Sequence, residues 1–240
     1  DRHSVEPASS SVFDFGSVNS GLEYLGTFNA GSLGTVFGGA RLEQEHATYA
    51  ATTGFSAFTS DQTLYALYFG DQLSPTDRMH LSFSGRYDGT VDGNGFLTGR
   101  ATAAYSVPET ETTLRASLGT GAKRPTPYMI ANNLFAHVSD PTVDIDLKPE
   151  HSVGGDIGID QVLFDGRVKL SATGYLSRFS DMLSFAGAGY QNVQNAAMAG
   201  VEIAAGFELV PSRWHLDASY TYLDARDLDL DKPLARRPRN

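Results

Sequence analysis

Cysteine is missing from all 240 residues, which excludes disulfides and thiolate metal centres. No apolar run approaches the ~18 residues that a membrane-spanning helix needs. Basic residues are scarce: 18 Lys and Arg stand against 28 Asp and Glu, for a net charge of −10. A chain this acidic, without a dense cationic patch, has no footprint for nucleic acid. The histidines, His3, His46, His80, His137, His151 and His215, show no metal-ligand spacing. The sequence therefore gives no ground for a metal or a cofactor.

What the chain does have is alternation. In residues 213–223, Trp214, Leu216, Ala218, Tyr220 and Tyr222 share one face, and Arg213, His215, Asp217, Ser219 and Thr221 share the other. Strand side chains switch faces at every residue, so this segment has one apolar and one wet side. Val168–Leu176, Met79–Tyr87 and Leu97–Tyr105 repeat the pattern. The pattern predicts strands at 18–28, 33–43, 61–70, 78–88, 96–107, 112–121, 152–162, 167–178, 199–209 and 213–224. They average roughly 11 residues, about twice the usual globular length and close to what a tilted strand needs to cross a bilayer.

The connections alternate between short and long. Asn29–Ser32, Asp71–Asp77, Pro108–Glu111, Phe164–Gly166 and Val210–Ser212 are short. Glu45–Ser60, Ala122–His151, Phe179–Met198 and the run after Asp224 are long, and Asp88–Gly95 is intermediate. In a meander alternate turns share a rim, so one rim is tight and the other elaborated, as in outer-membrane barrels. Trp214 and Tyr222 would stand about 20 Å apart in height, suited to two interfacial girdles. A soluble β-sandwich adhesion module could use the same alternation. Strand length, the Gly and Ala content of the apolar face and the sorting of loops by rim count against it. The expected fold is all-β, an antiparallel up-and-down transmembrane barrel.

Further motifs carry a more specific signal. Arg86-Tyr87-Asp88 ends a strand, and Leu114-Arg-Ala-Ser-Leu-Gly-Thr-Gly-Ala-Lys-Arg-Pro-Thr126 follows a strand–turn–strand. After a long loop comes Asp146-Leu-Lys-Pro-Glu-His-Ser152. Leu163-Phe-Asp-Gly-Arg167, Asn192-Val193, Gly200-Val-Glu202, Ala218-Ser-Tyr-Thr-Tyr222 and Arg236-Arg-Pro238 follow in order. This series resembles the C-terminal half of TonB-dependent outer-membrane receptors, nearest to the cobalamin and siderophore branches and densest over 78–238. The resemblance implies that residues 1–240 are a section, about ten strands, of a barrel of about 22 strands. The plug domain and terminal strands are absent from this sequence, which reads as a piece of a longer protein. It implies TonB-coupled uptake of a siderophore–iron chelate or cobalamin across a Gram-negative outer membrane. The implied partners are outer-membrane lipid, the chelate or cobalamin, and the TonB energy complex acting through the plug. No reaction is implied. The rival enzymatic reading, a ten-stranded outer-membrane protease, would need paired acids and an Asp–His pair converging at the outer rim.

Local motifs with other chemistries are weak. Gly119-Thr-Gly121-Ala-Lys-Arg124 lacks the Ser or Thr that follows the lysine of a phosphate loop, and the sequence predicts no helix after it. Ala30-Gly-Ser-Leu-Gly34 lacks the first glycine of a nucleophile elbow. Glu43-Gln-Glu-His46 reads as a solvated rim. Asp224, Asp227, Asp229 and Asp231 could bind Ca²⁺, but they lack the regular ligand pattern of an EF-hand loop and read as a hydrated loop. Arg78, Arg86, Arg100, Arg115, Asp156, Asp160, Lys169, Glu202 and Asp217 fall on the lumen face, suited to mutual pairing and plug contact. Ligand capture is expected on the long external loops. There Tyr128, Asn132, Asn133, Phe135, Tyr190, Asn192 and Asn195 combine aromatic faces with amide hydrogen bonding, which suits a large, partly polar chelate.

Overall fold

The computed structural model describes residues 3–5, 13–51, 57–91, 93, 95–210 and 213–234. The Arg236-Arg-Pro238 motif and Pro211-Ser212 lie outside them. The strands are β1 (His3–Val5), β2 (Phe13–Asn29), β3 (Thr35–Ala51), β4 (Phe58–Thr76), β5 (Met79–Thr90) and β6 (Phe96–Val107). After them come β7 (Thr112–Lys123), helix α1 (Pro127–Ser139), β8 (Glu150–Leu163), β9 (Val168–Ala186), β10 (Gly189–Val210), β11 (Trp214–Asp227) and β12 (Lys232–Pro233). All ten expected strands are present, with two short ones added at the ends. They form one sheet in which every strand pairs antiparallel with its neighbours in sequence.

Register assigns the faces. One row runs Leu81, Ala103, Ala116, Ile157, Gly174, Val201, Tyr222 across seven strands. One residue along, the row on the opposite face runs Ser82, Thr102, Ser117, Asp156, Tyr175, Gly200, Leu223. The first face is apolar. The second is tied by side-chain hydrogen bonds, Ser82 to Thr102 at 2.7 Å and Ser117 to Asp156. Arg115 pairs with Asp160 on that same face, as the lumen reading expects.

The apolar face has no second layer over it. Leu22 is 79% exposed, Ile157 71% and Trp214 68%. Among the described residues the buried apolar side chains are Ala47, Tyr49, Ala66, Pro127, Ala131, Ala196 and Ala225. A sandwich would bury the large aliphatics and leave few of them outside. Here they lie outside, which is the arrangement of a barrel wall.

Two connections expected to be long loops are strand instead. β3 runs on to Ala51 and β4 begins at Phe58, so most of Glu45–Ser60 is paired. β9 continues to Ala186 and β10 starts at Gly189, so Phe179–Met198 is a hairpin closed by Gly187 and Ala188. The physical reason is that alternation reports the contrast between two environments. Beyond the apolar band the outward face is wet and the inward face carries the packed residues Ala47, Tyr49 and Ala196, so the alternation set by lipid is lost while the backbone ladder continues. Gln44 bonds Thr63 at 2.8 Å and His46 bonds Asp61 at 2.7 Å on these extensions, in the outward-facing rows.

The tight rim matches expectation. Phe164, Asp165 and Gly166 all take positive φ in the β8–β9 turn, a conformation that suits Asp-Gly. On the elaborated rim, the expectation of no helix after Gly119–Arg124 is overturned by α1. Thr126 caps it, its Oγ1 accepting from the Met129 amide at 3.3 Å, and Pro127 occupies the first turn, where its missing N–H costs nothing. The phosphate-loop reading still fails, because Arg124 stands where the Ser or Thr would be.

Two adjacent alanines separate the faces. Ala205 shares the outer face with Leu170 and Ala218; Ala204 shares the inner one with Ser171 and Ser219. Ala205→Arg is expected to cost about 2–4 kcal/mol of folding free energy in bilayers, and Ala204→Arg about 1 kcal/mol or less. Denaturant titration in lipid vesicles measures both.

Candidate functional site

The connection between β7 and β8 folds back over the lumen side at the elaborated rim. α1 within it touches both β3 and β10, which stand seven places apart in the sheet. Only a sheet curled into a trough lets one helix reach both. The helix therefore lies across the mouth of the trough.

Two asparagines hold it there by the same device. Asn133 is fully buried; its Nδ2 donates to the carbonyls of Tyr190 (2.7 Å) and Asp144 (2.6 Å), and its Oδ1 accepts the Tyr190 amide at 2.7 Å. Asn192 answers from the strand side. Its Oδ1 accepts the Lys148 amide at 2.9 Å, and its Nδ2 donates to the carbonyls of Lys148 (3.0 Å) and Asp181 (2.6 Å). An asparagine side chain is chemically a peptide group, so each satisfies the N–H and C=O of one residue as a neighbouring strand would. Gly189 is required by this approach, since a Cβ there would lie 2.8 Å from Asn133 Oδ1. Glu150 adds a bond to the Leu183 amide at 2.9 Å.

Above these anchors lies a run of aromatic rings. Phe15 and Tyr49 are cross-strand partners, as are Phe185 and Tyr190. Tyr128 of α1 joins the two pairs, with ring centroids 5.3 Å from Phe15, 6.1 Å from Tyr49 and 6.4 Å from Tyr190. Phe185 meets Tyr190 at 5.1 Å. The contacts to Tyr128 are edge-to-face, the favourable geometry for ring quadrupoles. These rings stand beyond the lipid-facing band. Burial, and secondly Tyr128, raises the Tyr49 and Tyr190 hydroxyls above the usual phenol range, so these two stay neutral. Below the rings a cavity of about 210 Å³ is lined by Arg41, Glu43, Arg86, Asp88, Phe96 and Arg124. Arg124 stacks on Phe96 at 5.0 Å, and Arg86 pairs with Asp88 at 2.8 Å. The mouth thus offers flat apolar surface above and mixed charge beneath.

Of the seven sequence candidates, the structure brings Tyr128, Asn133, Tyr190 and Asn192 together. Asn133 and Asn192 are consumed in holding the loop. Asn132 lies beside them in sequence, and its buried Oδ1 has no hydrogen-bond partner among the described residues. Phe135 is half-buried on the same helix. Asn195 stands apart: its amide and Nδ2 are held by Asp229 at 2.9 and 3.1 Å, tying β10 to the β11–β12 turn. The acidic set is occupied in the same way. Asp224 pairs with Arg226, and buried Asp227 accepts the amides of Asp229 and Leu230 at 3.0 Å. Phe15, Tyr49, Phe96, Arg41 and Arg124 escape a reading from sequence. Phe15 and Tyr49 fall on strand extensions that no alternation marks. The Thr126-Pro127 pair is the available signal for a helix start and hence for a built loop.

The comparisons agree with this geometry. Residues 3–240 match the family model described as TonB dependent receptor-like, beta-barrel. The chain belongs to the TonB-dependent receptor family. A vitamin B12 transporter, BtuB of Photobacterium profundum, is 33% identical over 155 residues, covering 60% of this chain and 23% of that protein. The copper transporter OprC superposes with a TM-score of 0.76 at 18% identity, over 95% of this chain and 40% of that one. The ferripyoverdine receptor of the outer membrane of Pseudomonas aeruginosa gives 0.66 at 17%, over 94% and 35%. The chain thus spans under a quarter of the length of the curated relative. Proteins of this family are outer-membrane barrels and transport receptors rather than enzymes. Of the two His–Asp pairs among the described residues, His46–Asp61 sits exposed on the outer wall, and His215–Asp217 stands at the start of β11 by the short turn. Neither lies in a cleft at the outer rim, as the rival protease reading would need.

Replacing Asn133 by Leu removes three hydrogen bonds and leaves the Tyr190 backbone unpaired. It is expected to lower protection from amide exchange in residues 127–148 by about 2–4 kcal/mol, with the strands β4–β6 unchanged. Beyond the helix, the Thr142 hydroxyl and amide hold the Asp140 carboxyl below its usual range. That local stabilisation is present above the ordinary carboxylate pKa of about 3.9 and is lost as pH falls through the lowered value. The protection factor at 140–144, with the intrinsic pH dependence of exchange divided out, should therefore be flat from neutral pH to about 4 and fall only below it.

Proposed function

We propose that this chain is a section of the wall and mouth of an outer-membrane receptor that imports a siderophore–iron chelate or cobalamin. In this reading the inward rows contact a plug domain, and the inner-membrane energy complex drives release through TonB. The aromatic run Phe15–Tyr49–Tyr128–Tyr190–Phe185 at the mouth carries the proposal. A corrin or an aromatic chelate has broad π-faces and peripheral amide, carboxylate or hydroxyl groups. The exposed rings of Tyr128 and Phe185 and the charged cavity beneath match that chemistry. The inward face supports the plug reading, being polar and hydrogen-bonded below the aromatic run, as at Ser82–Thr102, Ser117–Asp156 and Arg115–Asp160. The relative named as a vitamin B12 transporter makes cobalamin the first ligand to test.

In the full-length receptor, Tyr128→Ala with Tyr190→Ala is expected to weaken ligand binding at least about tenfold, since each ring supplies about 1 kcal/mol or more of contact. Equilibrium binding of cobalamin and of a panel of ferric chelates to purified receptor measures it. Unchanged affinity for every ligand bound by the parent would contradict the proposal.

A further inference from the structure

The outer wall carries a groove that an uptake path through the lumen does not use. It has a volume of about 840 Å³ and lies over β7 to β11. Gly155, Gly174 and Ala199 form its floor, between Leu118, Leu176 and Val201. Register places all six on the outward face. We propose that this groove seats one acyl chain of a lipid whose phosphate pairs with Arg178. The inference rests on the reading that this face meets a bilayer.

Gly174 supplies the first argument. A Cβ at this position would meet nothing within 4 Å, and its φ lies outside the left-handed region. Neither packing nor backbone conformation requires a glycine there. Glycine inside a strand is destabilising and marks a place where another group comes close. Gly200, on the next strand and the opposite face, is different. A Cβ there would lie 2.4 Å from the Tyr175 hydroxyl, so protein packing explains it. At Gly174 the protein offers no such group, and an acyl chain lying in the trough provides one.

Charge supplies the second argument. Arg178 lines the end of the groove toward the elaborated rim, on the same outward face as Gly174 and four residues beyond it along β9. Its side chain is exposed, and among the described residues no hydrogen bond or ion pair holds it. Asp224, the acid on the same groove, is already neutralised: Arg226 Nε reaches its two carboxylate oxygens at 3.2 and 2.9 Å. Arg178 is therefore the uncompensated cation at the end of an apolar trough. That matches a molecule with a hydrocarbon chain and a phosphate, because guanidinium binds phosphate bidentately.

The full-length receptor in nanodiscs of phosphatidylcholine with a minor share of phosphatidylglycerol tests this. Native mass spectrometry after extraction counts the lipids retained. The parent is expected to keep phosphatidylglycerol about tenfold over its share of the bilayer. Arg178→Gln should abolish that preference. Gly174→Leu, and independently Ala199→Leu, should fill the trough and remove the retained lipid of either class. Equal retention of the two lipids by the parent, an unchanged preference in Arg178→Gln, or a second receptor copy seated in place of lipid would overturn the proposal. Heat-modifiable electrophoretic mobility reports insertion separately. A chain that never forms a barrel in the nanodisc contradicts the bilayer reading itself; a folded barrel without lipid preference contradicts only the groove.

Discussion

Backbone hydrogen bonding is the constraint on which everything else here depends. In hydrocarbon an unpaired N–H or C=O has no water to turn to, so a spanning strand must pair along its whole length on both sides. The antiparallel order meets that requirement for β3 to β10, each paired with both neighbours. Among the described residues β2 and β11 are paired along most of their length on one side, and no large aliphatic side chain is buried to achieve this order. With the ladder fixed, strand geometry sends alternate side chains to opposite faces, and composition follows environment. Val201 and Tyr222 face one way, Glu202 and Thr221 the other. The wall is stabilised by its surroundings as much as by its own contacts.

The same constraint shapes the mouth. Where the strands rise beyond the lipid, water could satisfy the backbone, yet the β7–β8 connection is pinned by protein groups instead. Asn133 and Asn192 each take the place of a missing strand neighbour. The result is a firm helix across the opening, with Tyr128 delivered between two hairpins that are distant in the sheet. A rigid aromatic surface loses little entropy on binding, which favours recognition of flat, weakly polar ligands.

The fold is legible in the sequence to the degree that the environment changes across a strand. Residues 96–107 and 213–224 sit in the lipid band and alternate cleanly, and the pattern marks their ends to within about three residues. Residues 45–51 and 179–198 stand above it, lack an apolar outward row and resemble loop in sequence although all but the turn at Gly187 and Ala188 is strand. The inward charges are legible because an Arg or Asp within an alternating strand has one face open to it. The mouth is legible only in part. Tyr128 and Tyr190 stand out by type, but their neighbours Phe15 and Tyr49 come from hairpins more than 75 residues away in sequence. Asn133 has the look of a ligand group and proves to be a clamp, a distinction that depends on what lies within 3 Å and has no local sequence signal.

The central claim is that β11 presents one side to hydrocarbon and the other to an aqueous interior. Nitroxide labels attached to single cysteines at each position from 216 to 222, in reconstituted full-length receptor, test it directly. Collision rates with oxygen, which concentrates in lipid, should peak at 216, 218, 220 and 222. Rates with a water-soluble nickel complex should be higher at 217, 219 and 221 than at the even positions. A profile without this two-residue period, or one in which the even positions are closed to both probes as in a protein core, would contradict the account.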